Sequence, residues 1–251
     1  MQNNPLPLAG KTALITGGGR RIGAEIVRQL HAAGMNIVLH HRVAVSEAQI
    51  LQAALEAERP ESVSLLQGDL LDTAALPGLV ERAHAVWGRL DVLVNNASTF
   101  YATPVGQITE AQWDDLVGTN LKAPLFLSQA AAPWLRESGG CIVNLVDIHA
   151  LRPLKGYPVY CAAKAGLAML TQSLARELGP EVRVNGVAPG AILWPEDSAN
   201  AAMHQELIRR TALRREGSPA DVARAVLYLV RDAGYVTGHV IPVDGGRLLN
   251  Q

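Results

Sequence analysis

The chain has 251 residues, 49% of them hydrophobic, and a formal net charge of −1 at pH 7. That length suits one α/β unit with a large buried core, and the near-neutral charge argues against long-range attraction to nucleic acid or to a membrane surface. No apolar run reaches transmembrane length, the first ten residues lack signal character, and Cys141 and Cys161 give neither a disulfide framework nor a metal-ligand spacing, so a soluble cytoplasmic protein without a metal is expected.

Strand-like and helix-like segments alternate from end to end. Thr12 to Thr16 reads as a short apolar strand, followed by a glycine-rich turn and a helix with Ile22, Ile26 and Leu30 on one face and a stop at Gly34. Asn36 to His40 is the second strand. Ser46 to Arg59 is helical, Ser62 to Gln67 a strand, and Thr73 to Trp87 a helix ended by Gly88. Leu90 to Asn95 is a buried strand. Thr109 with Gln112 forms a capping-box pattern, and Thr119 to Arg136 continues helical. Cys141 to Leu145, Glu181 to Val187 and Val240 to Val243 complete the strands. Tyr157 to Leu178 and a segment opened by Ser218-Pro219 complete the helices. No linker or repeat interrupts residues 1–251, so one domain is expected. Apolar strands alternating with helices predict a doubly wound, Rossmann-like unit with a mainly seven-stranded parallel sheet. Ligands on such sheets sit at the carboxyl ends of the strands, near the reversal of strand order.

Two sites emerge from the residues. The run Thr16-Gly17-Gly18-Gly19-Arg20-Arg21-Ile22-Gly23 joins the first strand to the first helix, where glycines let backbone approach a pyrophosphate at a helix N-terminus. The second strand ends His40-His41-Arg42, without the acid that would hold a ribose 2′-hydroxyl. Arg42 can instead pair with a 2′-phosphate, which favours NADP. Asp69, beside Leu70, either accepts from an adenine amino group or caps the following helix. The second site starts from Tyr160 and Lys164, one helical turn apart. An ammonium beside the phenol is expected to lower the tyrosine's pKa and make it a proton donor or acceptor. Asp147, thirteen residues upstream, shares the pocket if a strand ends there; its plainer reading is a helix cap near Tyr157. Phe100 either offers a flat face to a heteroaromatic ring or anchors its loop to the core. Trp194 either contacts substrate or packs a lid. His149 is assigned no role.

Taken together, these residues resemble the short-chain dehydrogenase/reductases over nearly the whole chain. The matching pieces are Thr16-Gly17 with Gly23, Asp69, Asn95-Asn96-Ala97, Asn120, Tyr160-x-x-x-Lys164, Pro189-Gly190 and Asp244-Gly245-Gly246. Two departures, Arg21 in place of a glycine and Asp147 in place of the usual serine, resemble the pteridine reductase branch. So do Asn95-Asn96-Ala97-Ser98-Thr99-Phe100-Tyr101 and His41-Arg42. The resemblance implies catalysis by Asp147, Tyr160, Lys164 and Asn120, the last holding a water of the proton relay. It implies NADPH binding by Gly17, Arg20, Arg21, Ile22, His41, Arg42, Asp69, Leu70, Asn95, Ala97, Ser98, Tyr160, Lys164, Pro189 and Gly190. A small-molecule pteridine would contact Arg21, Ser98, Phe100, Asp147, Tyr160 and Trp194. The implied reaction is reduction of a dihydropteridine such as dihydrobiopterin, dihydromonapterin or dihydrofolate. A 3-oxoacyl or other carbonyl reductase is the second reading, and a non-catalytic NADP(H)-binding regulatory protein the third. A homotetramer is expected, with Tyr157 to Leu178 at an interface.

Overall fold

The computed structural model describes residues 7–190, 192, 205–206 and 208–249. Seven parallel strands form one sheet, β1 (Thr12–Ile15), β2 (Asn36–His41), β3 (Val63–Gln67), β4 (Val92–Asn95), β5 (Cys141–Leu145), β6 (Arg183–Pro189) and β7 (Val240–Val243). Their spatial order is β3-β2-β1-β4-β5-β6-β7. The chain winds outward through β2 and β3, then returns to place β4 on the other side of β1. The reversal therefore lies between β1 and β4, and a crevice opens at their carboxyl ends.

The strands are apolar because both faces are covered. Helices α1 (Arg21–Ala32), α2 (Val45–Glu58) and α7 (Pro219–Arg231) bury Ile26, Leu30, Leu51, Val222 and Val226 against Ala13, Ile15, Ile37 and Val94. Helices α3 (Leu76–Ala85), α5 (Ala123–Ser138) and α6 (Pro158–Leu178) bury Leu79, Leu127, Leu135 and Leu178 against Leu14, Val38, Leu93 and Ile142. Successive strand residues thus feed opposite cores, each buried aliphatic side chain contributing about 1.5–3 kcal/mol.

Two capping boxes are present among the described residues. Thr109 and Gln112 open α4 (Glu110–Val117), and Ser218 and Asp221 open α7. Two helix starts differ from the sequence reading by three residues or more. Helix α3 starts at Leu76 rather than Thr73. Asp72 Oδ1 takes the Ala75 N–H at 3.3 Å, closing a turn first, and Pro77 then sits in the first helical turn, where its missing N–H costs nothing. The segment expected to run helical from Thr119 begins as a π-turn over Gly118–Lys122, which joins α4 to α5. Asn120 Nδ2 donates to the Leu116 carbonyl at 2.9 Å, competing with the backbone ladder, and Pro124 has no N–H for the Asn120 carbonyl.

Candidate active site

The crevice holds a cleft of about 960 Å³ running from the glycine-rich turn to the start of α6. At its first end the turn is stapled to β4. Thr16 Oγ1 accepts the Asn96 and Ala97 N–H groups at 2.9 and 3.0 Å. Asn96 Nδ2 donates to the Thr16 and Gly17 carbonyls at 2.8 and 3.0 Å. Gly17 has φ +62°, and a Cβ on Gly23 would lie 2.2 Å from the Gly17 carbonyl oxygen. Arg21 also sits in the left-handed region, at φ 54°. A glycine would hold that conformation without the cost of about 1–2 kcal/mol that a side chain incurs. Arg21 is exposed and, with Arg20 and Ile22, lines the cleft.

His40 ties this turn to the rest of the site. Its Nδ1 accepts the Gly17 N–H at 3.3 Å and its Nε2 donates to the Gly68 carbonyl at 3.2 Å, which requires the neutral ring. Burial lowers its pKa from 6.5 to about 4. The unfolded chain therefore binds a proton between pH 6.5 and 4 that the folded chain refuses. Stability is full above pH 6.5 and is lost as pH falls toward 4, by about 3 kcal/mol from this residue. We expect urea midpoints to drop over that window and the slope to flatten in His40→Asn. An unchanged slope in the variant would assign the acid sensitivity elsewhere.

Beyond His40, His41 is buried, and its Nδ1 has no hydrogen-bond partner among the described residues. Arg42 is exposed at the same rim, its Nη1 3.8 Å from Asp69 Oδ1. That contact is solvent-screened and weak. Asp69 caps no helix; its Oδ1 accepts the Leu71 N–H at 3.0 Å, and buried Leu70 lines the cleft beside it.

At the other end β5 delivers Asp147 and α6 delivers Tyr160 and Lys164. The Tyr160 hydroxyl donates to Asp147 Oδ2 at 2.8 Å, and Asp147 Oδ1 accepts the His149 N–H at 2.8 Å. Asp147 is thus both the cap of the short turn Ile148–Ala150 and the partner of the phenol. Lys164 is buried and donates from Nζ to the Leu145 carbonyl at 2.8 Å; Nζ stands 5.7 Å from the Tyr160 ring centroid. Burial lowers its pKa to about 8. The expected lowering of the Tyr160 pKa is corrected: burial, and then the Asp147 carboxylate, push it well above 10. The ammonium is committed to a backbone carbonyl, whereas the carboxylate touches the phenol.

Asn120 is buried and does not itself line the cleft. It donates to the Leu116 and Thr99 carbonyls at 2.9 and 3.0 Å and accepts from Ser98 Oγ at 2.6 Å. Asn95 is a second correction. Its side chain turns into the core, donating to Asn144 Oδ1 at 2.9 Å and Ser128 Oγ at 3.3 Å, and it supports the strands without lining the cleft. The neighbouring Ala97 and Ser98 do line it, as do Pro189 and Gly190 at the end of β6. Phe100 is not a core anchor. It is 50% exposed, stacked on Tyr157 at 4.7 Å between centroids and edge-on to Tyr160 at 4.8 Å. Trp194 lies outside the described residues. Cleft residues that sequence reasoning passed over include His40, Asn96, Tyr157 and Arg247. All four stood beside or within named motifs, Arg247 directly after Asp244-Gly245-Gly246, but none was given a role from sequence.

A family model described as enoyl-(acyl carrier protein) reductase matches residues 18–247. The chain belongs to the short-chain dehydrogenase/reductase family. Pteridine reductase 1 of Leishmania tarentolae is 36% identical to it, over 95% of this chain and 96% of that one. A 3-oxoacyl-acyl-carrier-protein reductase FabG of Staphylococcus aureus is 34% identical, over 94% and 97%. A solved structure from Sinorhizobium meliloti 1021, described as a short-chain alcohol dehydrogenase, superposes with a TM-score of 0.91 at 33% identity, covering 97% of this chain and 98% of that one. Members of this family are oxidoreductases that use nicotinamide cofactors, and the residues here fit one: a glycine turn with no room for a Cβ, an unsatisfied buried His41 nitrogen and an exposed Arg42 at one end of the cleft. Among the described residues, no helix is long and apolar enough to cross a membrane.

Proposed function

We propose that this short-chain dehydrogenase/reductase is an NADPH-dependent reductase of dihydropteridines. The observation that carries the reading is the 2.8 Å hydrogen bond from Tyr160 to Asp147, with the half-exposed Phe100 ring beside Tyr160. A ketone reductase would use a serine hydroxyl here to polarise its carbonyl. A carboxyl group suits proton supply to a ring nitrogen. The bound nicotinamide supplies the hydride. Tyr160, kept protonated by burial and by the Asp147 carboxylate, would give a proton to the ring nitrogen, and Asp147 would pass it a replacement proton taken from solvent water. Lys164 holds the nicotinamide ribose, and Asn120 orders the water behind it. Phe100 and Tyr157 form an aromatic wall on which a flat bicyclic ring stacks. Arg42, without a competing acid at the end of β2, supports the preference for NADPH. A homotetramer belongs to the same reading, supported by the exposed Trp113, Leu125 and Met169 on α4, α5 and α6.

The second reading, reduction of a 3-oxoacyl thioester, is favoured by the similarity to the Staphylococcus aureus enzyme. One panel separates them: NADPH and NADH oxidation with dihydrobiopterin, dihydromonapterin, dihydrofolate and an acetoacetyl thioester. We expect turnover of at least one pterin, little or none of the thioester, and an advantage for NADPH of about tenfold or more. Faster turnover of the thioester than of every pterin would reverse the assignment.

A further inference from the structure

Arg247 opens the short turn Arg247–Leu249 that closes the described chain. Asp244 fixes that turn: its Oδ1 accepts the Gly246 N–H at 2.8 Å and its Oδ2 the Leu248 N–H at 2.8 Å. The segment is seated on the end of β6, since a Cβ on Gly190 would lie 2.7 Å from Asp244 Cα. From this base the Arg247 side chain lines the cleft, and its Nη1 is buried with no hydrogen-bond partner among the described residues. Among the described charged groups, Arg210, Asp244 and Asp147 act on it. Both carboxylates are otherwise engaged, Asp244 by the two backbone N–H groups and Asp147 by His149 N–H and the Tyr160 hydroxyl. Arg210 is itself bound to Glu206 at 2.7 Å. A guanidinium fork with a desolvated N–H is matched by the paired oxygens of a carboxylate or phosphate.

We propose that Arg247 recognises a carboxylate or phosphate group carried by the substrate, and so selects anionic over neutral substrates of the same ring. The cofactor diphosphate offers the same chemistry. The substrate is favoured because Arg247 stands on a segment seated at the end of β6, beside the β5 end that carries Asp147, whereas a diphosphate belongs at the turn Gly17–Gly23 after β1, three strands away. The inference does not depend on which ring is reduced.

The test uses the full chain, Arg247→Gln and Arg247→Lys. Under the pteridine reading, kcat/KM is compared for dihydrofolate, which carries carboxylates, and dihydrobiopterin, which carries none. If the wild type reduces neither, that reading fails by itself, and acetoacetyl-CoA against the uncharged N-acetylcysteamine thioester supplies the matched pair. Calorimetry with p-aminobenzoyl-glutamate repeats the comparison without turnover. Arg247→Gln should lose about tenfold to a hundredfold on the charged member through KM, change the neutral member less than about threefold, and leave the NADPH dissociation constant unaltered. Arg247→Lys should recover part of the loss. Equal loss on both members, unchanged p-aminobenzoyl-glutamate binding, or a rise in the NADPH dissociation constant that accounts for the loss would overturn the proposal, the last assigning Arg247 to the cofactor.

Discussion

Replacing Tyr160 with phenylalanine is expected to lower kcat by about a hundredfold to ten-thousandfold, the range of a lost general acid, while the cofactor still binds. The substitution removes one oxygen and keeps the ring. Tyr160 is 4% exposed and packs with Leu116, Val159 and Cys161, so the phenyl group fills the same volume. The lost hydroxyl is the one that donates to Asp147 at 2.8 Å. Its partner keeps the His149 N–H and lies at the cleft, where water can solvate it, so the cost to folding is small beside the cost to turnover. Lys164 bonds the Leu145 carbonyl rather than the phenol, so its position survives the change. Stopped-flow hydride transfer and a cofactor titration, run on the same preparation, separate the two effects. Turnover near the wild-type rate would mean that another group carries the proton.

Gly23→Ala should damage both folding and cofactor binding. The added methyl would stand 2.2 Å from the Gly17 carbonyl oxygen and 2.6 Å from Asn96 Nδ2. Neither is the free end of a flexible side chain. Gly17 O is backbone in a turn at φ +62°, and Asn96 is held by that same turn through its bonds to the Thr16 and Gly17 carbonyls. Relief requires α1 to move off the carboxyl end of β1, which opens the surface proposed to face a cofactor diphosphate. We expect a loss of about 3 kcal/mol and a fall in Tm on the order of 10 °C, with cofactor affinity falling further. Gly78→Ala, in α3 with nothing within 4 Å of the new methyl, is the control and should be neutral or slightly stabilising. A Gly23→Ala protein with wild-type Tm and cofactor affinity would contradict the close approach of helix and turn.

What depends on neighbours along the chain was legible in the residues. Apolar runs of strand length separated by helical periods specified seven parallel strands, and Thr109 with Gln112 announced a capping box. The spacing of Asp147, Tyr160 and Lys164 placed a carboxylate, a phenol and an amine at one strand end and one helix face. What those groups do to one another depends on how the chain folds. The sequence offered Lys164 as the partner of Tyr160, but the fold gives Lys164 to the Leu145 carbonyl and Asp147 to the phenol, which reverses the direction of the tyrosine's pKa. Asn95 and Asn96 are adjacent in sequence, yet the alternation of a strand sends one into the core network with Asn144 and the other onto the glycine turn. His40 and Arg247 stood next to named motifs, yet no neighbour along the chain gave either a role. His40 is set by burial and by partners more than twenty residues away, and Arg247 is marked by a buried N–H without a partner among the described residues; desolvation and long-range contact are properties of the folded chain that no short window of residues contains.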